Sequence, residues 1–125
     1  MSAAVDRPEE AARFRLLEGE ILLFRRSPAE AARLISEPIP DTPAFAALKA
    51  RQTQLQGQRE LVEGRLDGAV ATLEGAAQAA RSAEAIDVAL DADVIRGQAL
   101  VRLQRTAEGV ALLERAAAQA AAAGD

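Results

Sequence analysis

At 125 residues the chain has the length of one domain, and half of its residues are hydrophobic. It contains no cysteine, histidine, tyrosine or tryptophan, which excludes disulfides and thiolate metal sites and removes the commonest general bases and nucleophiles. The net charge of −4 argues against a nucleic-acid partner, because such surfaces are usually basic.

The first predicted helix begins near residues 6–9 and is strongly apolar on one side. Its large apolar residues recur every three or four positions: Phe14, Leu17, Ile21 and Phe24, with Leu16 and Leu23 beside them. A helix this apolar is predicted to have neighbours on two sides. The second predicted helix runs from about residue 28 to residue 36, with Ser27 as its cap and Pro28 in its first turn.

A proline-rich loop separates these two helices from the rest of the chain. Residues 37–43 contain three prolines, which favour extended backbone. Four further helices are predicted after it, over residues 44–63, over 68–81, from just after a capping Ser82, and from near Thr106 to the alanine-rich residues 116–123.

One spacing of small residues recurs three times along the chain. A small residue is followed twelve positions later by another and four later by a large apolar residue, with an alanine three positions after that in two of the copies. The positions that follow this spacing, with one glycine at a turn, are Gly19, Ala31 and Ile35, then Gly57, Gly64, Ala69, Leu73 and Ala76, and finally Gly97, Gly109, Leu113 and Ala116. The three copies begin at glycines 38 and 40 residues apart, and self-similarity at such a period predicts a helical solenoid. The small residues would let the two helices of each unit approach closely.

These positions resemble the tetratricopeptide repeat, in which the same small, apolar and alanine residues define a helix hairpin. The family's Trp and Tyr are absent here. The resemblance implies an all-α fold, a right-handed solenoid of three antiparallel helix hairpins with about six helices. It implies one domain over residues 1–125, with repeats near 8–38, 43–82 and 83–123.

No group of residues in the sequence indicates catalysis or metal binding. Asp87, Asp91 and Asp93 form the best acidic cluster, but no calcium-type loop accompanies them, and a solvated helix face is the simpler interpretation. No apolar run approaches the roughly 18 residues of a membrane span. We expect no cofactor, no nucleic-acid or membrane partner, and, without a signal sequence, a cytoplasmic location.

The tetratricopeptide resemblance implies a partner-binding groove lined by the first helix of each hairpin. Its residues would be Leu16, Glu20, Leu23, Phe24, Gln54, Gln58, Leu61, Val62, Val94, Gln98, Val101 and Arg102. This mixture of apolar and polar side chains suits a peptide or protein partner. Alternatively, several of the apolar residues pack against further repeats or an adjoining domain.

Two other functions remain open from the sequence. The run over residues 12–23, the proline-rich loop and residues 55–57 together resemble the N-terminal repeats of bacterial CHAT-type proteins, which precede a caspase-like peptidase domain. That resemblance implies a regulatory or sensor segment. The apolar first helix and the alanine-rich last helix could also pair between copies, which predicts a self-association module.

Overall fold

The chain folds into six α-helices that pack in sequence order. The computed structural model describes the backbone of residues 2–124 and the side chains of residues 8–124. The helices are α1 (Ser2–Phe24), α2 (Pro28–Ile35), α3 (Ala46–Val62), α4 (Leu66–Ser82), α5 (Ile86–Arg102) and α6 (Thr106–Gly124), with a 3₁₀ turn at Pro43–Phe45. No strand occurs in the described backbone. The predicted all-α repeat of consecutively packed helices is confirmed.

The helix ends differ from those that the sequence predicted. Helix α1 begins at Ser2, so Pro8 lies inside it rather than in its first turn. Ser27 occupies the N-cap of α2 but makes no side-chain capping hydrogen bond. Ser82 is the last residue of α4, and Ala85 precedes α5 instead. Side-chain caps therefore do not define these ends.

Four turns of the same backbone geometry end the helices instead. In each turn one residue has a left-handed φ: Arg26 (59°), Gly64 (82°), Glu84 (58°) and Gln104 (66°). The amide that follows donates to the carbonyl five residues earlier, as from Arg65 to Glu60 at 2.8 Å and from Arg105 to Leu100 at 2.9 Å. This is the Schellman pattern of a helix C-terminus. The connection between α4 and α5, at Glu84, is thus built like the turns inside the hairpins.

Gln104→Gly should raise the free energy of unfolding by about 0.5–1 kcal/mol. A left-handed non-glycine residue costs about 1–2 kcal/mol, partly offset by the greater freedom of glycine in the unfolded chain. Gln78→Gly in the exposed middle of α4 is the matched control and should lower stability by about 1 kcal/mol. Urea denaturation followed by circular dichroism measures both changes. Equal losses for the two variants would contradict the importance of this turn.

Small residues bring the two helices of each hairpin close together. A methyl group built on Gly57 would lie 2.6 Å from Cγ of Leu73, and one on Gly97 would lie 2.7 Å from Cγ of Leu113. The first hairpin repeats this contact between Gly19 and Ile35. Each partner is sixteen residues after its glycine, so the repeated spacing of the sequence corresponds to one repeated contact.

The core is a thin layer made largely of alanine. In the first hairpin Leu16, Leu23 and Ile35 are buried together with Leu55 from α3. Between α4 and α5 the buried cluster consists of Leu73 with Ala69, Ala76, Ala77 and Ala92. The buried residues of a third cluster are all alanines: Ala50, Ala80 and Ala89. Within residues 2–124, no helix is both long enough and apolar enough to cross a membrane.

Candidate functional site

The first helices of the three hairpins form one layer. Helix α3 packs against both α1 and α5, in addition to its own partner α4. Successive residues of an α-helix lie about 100° apart around its axis. Three positions of each first helix therefore point to the same side: one after, three before and six before the repeat glycine, which is Gly19 in α1, Gly57 in α3 and Gly97 in α5. We call this side the first-helix face, and its polar residues are Arg13, Glu20, Arg51, Gln54, Gln58, Asp91 and Gln98.

Arg51 connects all three first helices across this face. Its guanidinium donates to Oε2 of Glu20 on α1 at 2.7 Å and to Oδ2 of Asp91 on α5 at 3.3 Å. It also donates to Oε1 of Gln54 at 2.6 Å. The Arg51 and Glu20 side chains are each 24% exposed. Because a rigid planar guanidinium can bond several acceptors at once, this residue links the three first helices at one point.

Two glutamine side chains extend the hydrogen bonds of Arg51 along α3. Gln54 is buried, and its amide nitrogen lies 3.4 Å from Oε1 of Gln58. Gln58 is half-buried, and its equivalent Gln98 on α5 is exposed. The two residues each follow a repeat glycine, 40 positions apart. They therefore present the same amide group on adjacent helices.

Part of the groove that the sequence predicted lies in the core instead. Leu16, Leu23 and Gln54 are buried, with 3%, 2% and 1% of their surfaces exposed, so they cannot line an open groove. The reason is packing between helices: Leu16 and Leu23 belong to the cluster that α1 forms with α2 and α3, and Gln54 is covered where it bonds to Arg51. The other predicted groove residues keep accessible surface. They are the exposed Phe24, Val94, Gln98 and Arg102, and the half-buried Glu20, Gln58, Leu61, Val62 and Val101.

Sequence reasoning missed Arg51, which is the centre of the face. One signal could have identified it. Arg51 and Asp91 are opposite charges at equivalent repeat positions, since each lies six residues before its glycine. Equivalent positions of adjacent helices lie side by side, so this pair could have been predicted to meet.

Neither protein-family models, nor curated proteins, nor solved structures gave a match to this chain when compared with it. The tetratricopeptide and CHAT-type resemblances therefore stay predictions from the sequence.

The three aspartates of α5 lie in separate environments. Asp93 is 3% exposed and accepts hydrogen bonds from Arg81 at 2.6 Å and from Arg96 at 3.3 Å. Asp91 pairs with Arg51 on the first-helix face, and Asp87 is exposed. Among the described side chains, no three carboxylates lie close enough to share a metal ion. Asp93 thus joins α4 to α5 as part of the structure.

Carboxyl groups with a lowered pKa lie at hairpin turns. A hydrogen bond from Arg65 lowers the pKa of Glu63, and one from Arg105 lowers the pKa of Glu108. All four residues are exposed, and such local surface pairs contribute little to stability. These shifts reflect turn geometry rather than a reactive group.

Proposed function

We propose that this chain is a non-catalytic protein-interaction module and that its partner is an extended polypeptide segment bound across the first-helix face. The observation that carries this proposal is the pair of equivalent amides, Gln58 and Gln98, on adjacent first helices. A glutamine amide both donates and accepts hydrogen bonds, so it can bind the main chain of a peptide of any sequence.

The spacing of these amides suits an extended segment. Helices in contact have axes about 8–10 Å apart, and three residues of extended chain span about 10 Å. Equivalent side chains on α3 and α5 would therefore meet every third peptide residue. The packing of α3 and α5 on α4, with the hydrogen bond from Arg51 to Asp91 between them, supports the proposal because it holds the two helices at one separation before any partner binds. Such preorganisation lowers the entropic cost of binding.

The charges and apolar residues of the face suggest what the peptide contains. The Glu20 and Asp91 carboxylates share the guanidinium of Arg51, and Arg13 on the same face pairs with Glu9, so this part of the face carries excess negative charge. A peptide with basic side chains is complementary to it. Exposed Val94, three residues before its repeat glycine on the same face, would contact an apolar side chain of the same segment. The absence of His, Cys and Tyr from the chain supports binding rather than catalysis.

Selection from a random peptide library displayed on phage tests the proposal. We expect the purified chain to enrich basic, extended peptides, whose affinity is then measured by fluorescence anisotropy. The double variant Gln58→Arg/Gln98→Arg should weaken binding by about tenfold or more, because it places charges of the wrong sign where the amides act. Gln78→Arg, on the exposed side of α4, is the matched control and should bind like the original chain. Failure to enrich any peptide, or equal binding by the double variant, would show the proposal to be wrong.

A further inference from the structure

Helix α1 carries a row of four large apolar side chains that stay between 45% and 78% exposed in the described part of the chain. Phe14 is 67% exposed, Leu17 52%, Ile21 45% and Phe24 78%. We call these four residues the N-terminal stripe. They lie opposite the side of α1 that packs on α2, and neither α2 nor α3, the two helices that contact α1, covers them fully within the described residues.

The internal repeat shows what kind of surface covers such a stripe. Leu17 lies two residues before its repeat glycine, as Leu55 and Ile95 do in α3 and α5. Leu55 is fully buried against the first hairpin, and Ile95 packs on α4 of the second. In α3 and α5 this side of the first helix is therefore covered by the preceding hairpin.

A matching uncovered surface lies at the other end of the array. Helices α5 and α6 form an open groove of about 360 Å³, which we call the C-terminal groove. Its lining is mainly apolar, with Leu90, Val94, Leu113, Ala116, Ala117 and Ala120, and also includes Asp87 and Asp91. Forty positions earlier stand residues that are 0–2% exposed in the core beside α5: Ala50, Gln54, Leu73, Ala77 and Ala80. In the groove, by contrast, Val94 is 37% exposed. The groove is thus the surface on which a further first helix would pack.

We propose that a second copy of this chain covers each surface, with the N-terminal stripe of one copy packed in the C-terminal groove of the next. The contact would continue the internal stacking of the hairpins across the boundary between copies. Such a head-to-tail interface joins two different surfaces, so each copy can bind two neighbours. The peptide proposal rests on Gln58 and Gln98, which lie outside both surfaces, although Asp91 and Val94 belong to the peptide face and to the groove. Variants of the two glutamines therefore test it separately from variants of Leu17 and Ala117.

The charges beside the two surfaces are complementary in the arrangement that stacking would produce. Inside the array, Arg51 reaches Asp91 at the equivalent position of the next first helix. Arg13 stands at that same position in α1, six residues before Gly19. Asp91 pairs with Arg51 and Arg13 with Glu9, but the Asp91 side chain is still 60% exposed and the Arg13 side chain 65% exposed, so both can accept a further partner. Head-to-tail stacking would bring Arg13 of one copy to Asp91 of the other.

Sedimentation velocity with variants blocked at one end tests this arrangement. We expect the average mass of the original chain to rise with protein concentration, because association follows mass action. Leu17→Glu blocks the stripe and Ala117→Glu blocks the groove. Each should weaken association by about tenfold or more, because it buries an unpaired charge. Gln78→Glu, outside both surfaces, should associate like the original chain, and circular dichroism checks that all variants are folded.

The decisive experiment mixes the two blocked variants. Head-to-tail packing leaves one usable stripe and one usable groove in the mixture, so a dimer with one copy of each variant should form and grow no further. A monomeric original chain would overturn the proposal. Association retained by Ala117→Glu but lost by Leu17→Glu would instead show two stripes pairing symmetrically. A folded mixture that stays monomeric would also contradict it.

Discussion

Leu73→Ala should lower the free energy of unfolding by about 2–5 kcal/mol, the largest effect we expect for a single substitution. Leu73 is fully buried and lies over Gly57, where it fills the space that the missing side chain leaves. Its other buried neighbours include Ala69, Ala76 and Ala77, which have no longer side chain to move into the cavity. We therefore expect a loss in the upper part of this range, measured by urea denaturation.

A double-mutant cycle with Gly57→Ala shows whether the loss comes from this contact. In the original chain, the added methyl group would collide with the Leu73 side chain at 2.6 Å, and we expect it to cost about 1–3 kcal/mol. In the Leu73→Ala background the collision disappears, and alanine should stabilise the helix relative to glycine by up to about 1 kcal/mol. The same cost in both backgrounds would contradict the packing of Gly57 on Leu73.

Gly109→Ala should lower stability by about 1–3 kcal/mol because its methyl group would meet backbone as well as side chain. It would lie 2.8 Å from the Gly97 carbonyl oxygen and 2.7 Å from Cγ2 of Val101. A side chain can rotate away from such a contact, but the carbonyl can move only if α5 and α6 separate. Thermal and urea denaturation would both report the change.

Gly75→Ala provides the matched control for this substitution. Gly75 also lies in a helix, and nothing lies within 4 Å of the position that its methyl group would take. We expect this variant to gain up to about 1 kcal/mol, since glycine lowers helix stability. A loss at Gly75 similar to that at Gly109 would mean that close approach of α5 and α6 is not the cause.

Stability that depends on small residues follows from the composition of the core. Few large side chains are fully buried, and most of the buried surface between the later helices belongs to alanine. Alanine contributes little by burial, so the helices must approach closely for dispersion contacts to accumulate. This is why we expect a methyl group added at Gly57 or Gly109 to cost more than its size suggests.

The repeated spacing of the sequence predicted the helices and their pairing well. Three glycines, each followed sixteen positions later by a large apolar residue, mark the three hairpin contacts that the structure shows. The ends of the helices were predicted less well. The sequence predicted Ser27 and Ser82 as caps. The helices end instead at turns with a left-handed residue, which is Arg26, Glu84 or Gln104, and none of these side-chain types favours that conformation.

The site was harder to predict than the fold. Periodicity places a residue at an angle around its own helix, but it does not tell which neighbour lies at that angle. Leu16 was therefore assigned to a groove, although it is buried. Arg51 was not assigned to the site, although it connects α1, α3 and α5.

The sequence by itself determined the helical content, the three hairpins and the small residues at their contacts, because these depend on spacings within about sixteen residues. Only the tertiary structure decided which helix sides are buried, that Arg51 joins Glu20 to Asp91, and that an apolar stripe and an apolar groove lie at opposite ends. The physical reason is that these features arise between hairpins, from residues about 30 to 40 positions apart, whose meeting depends on how the helices stack.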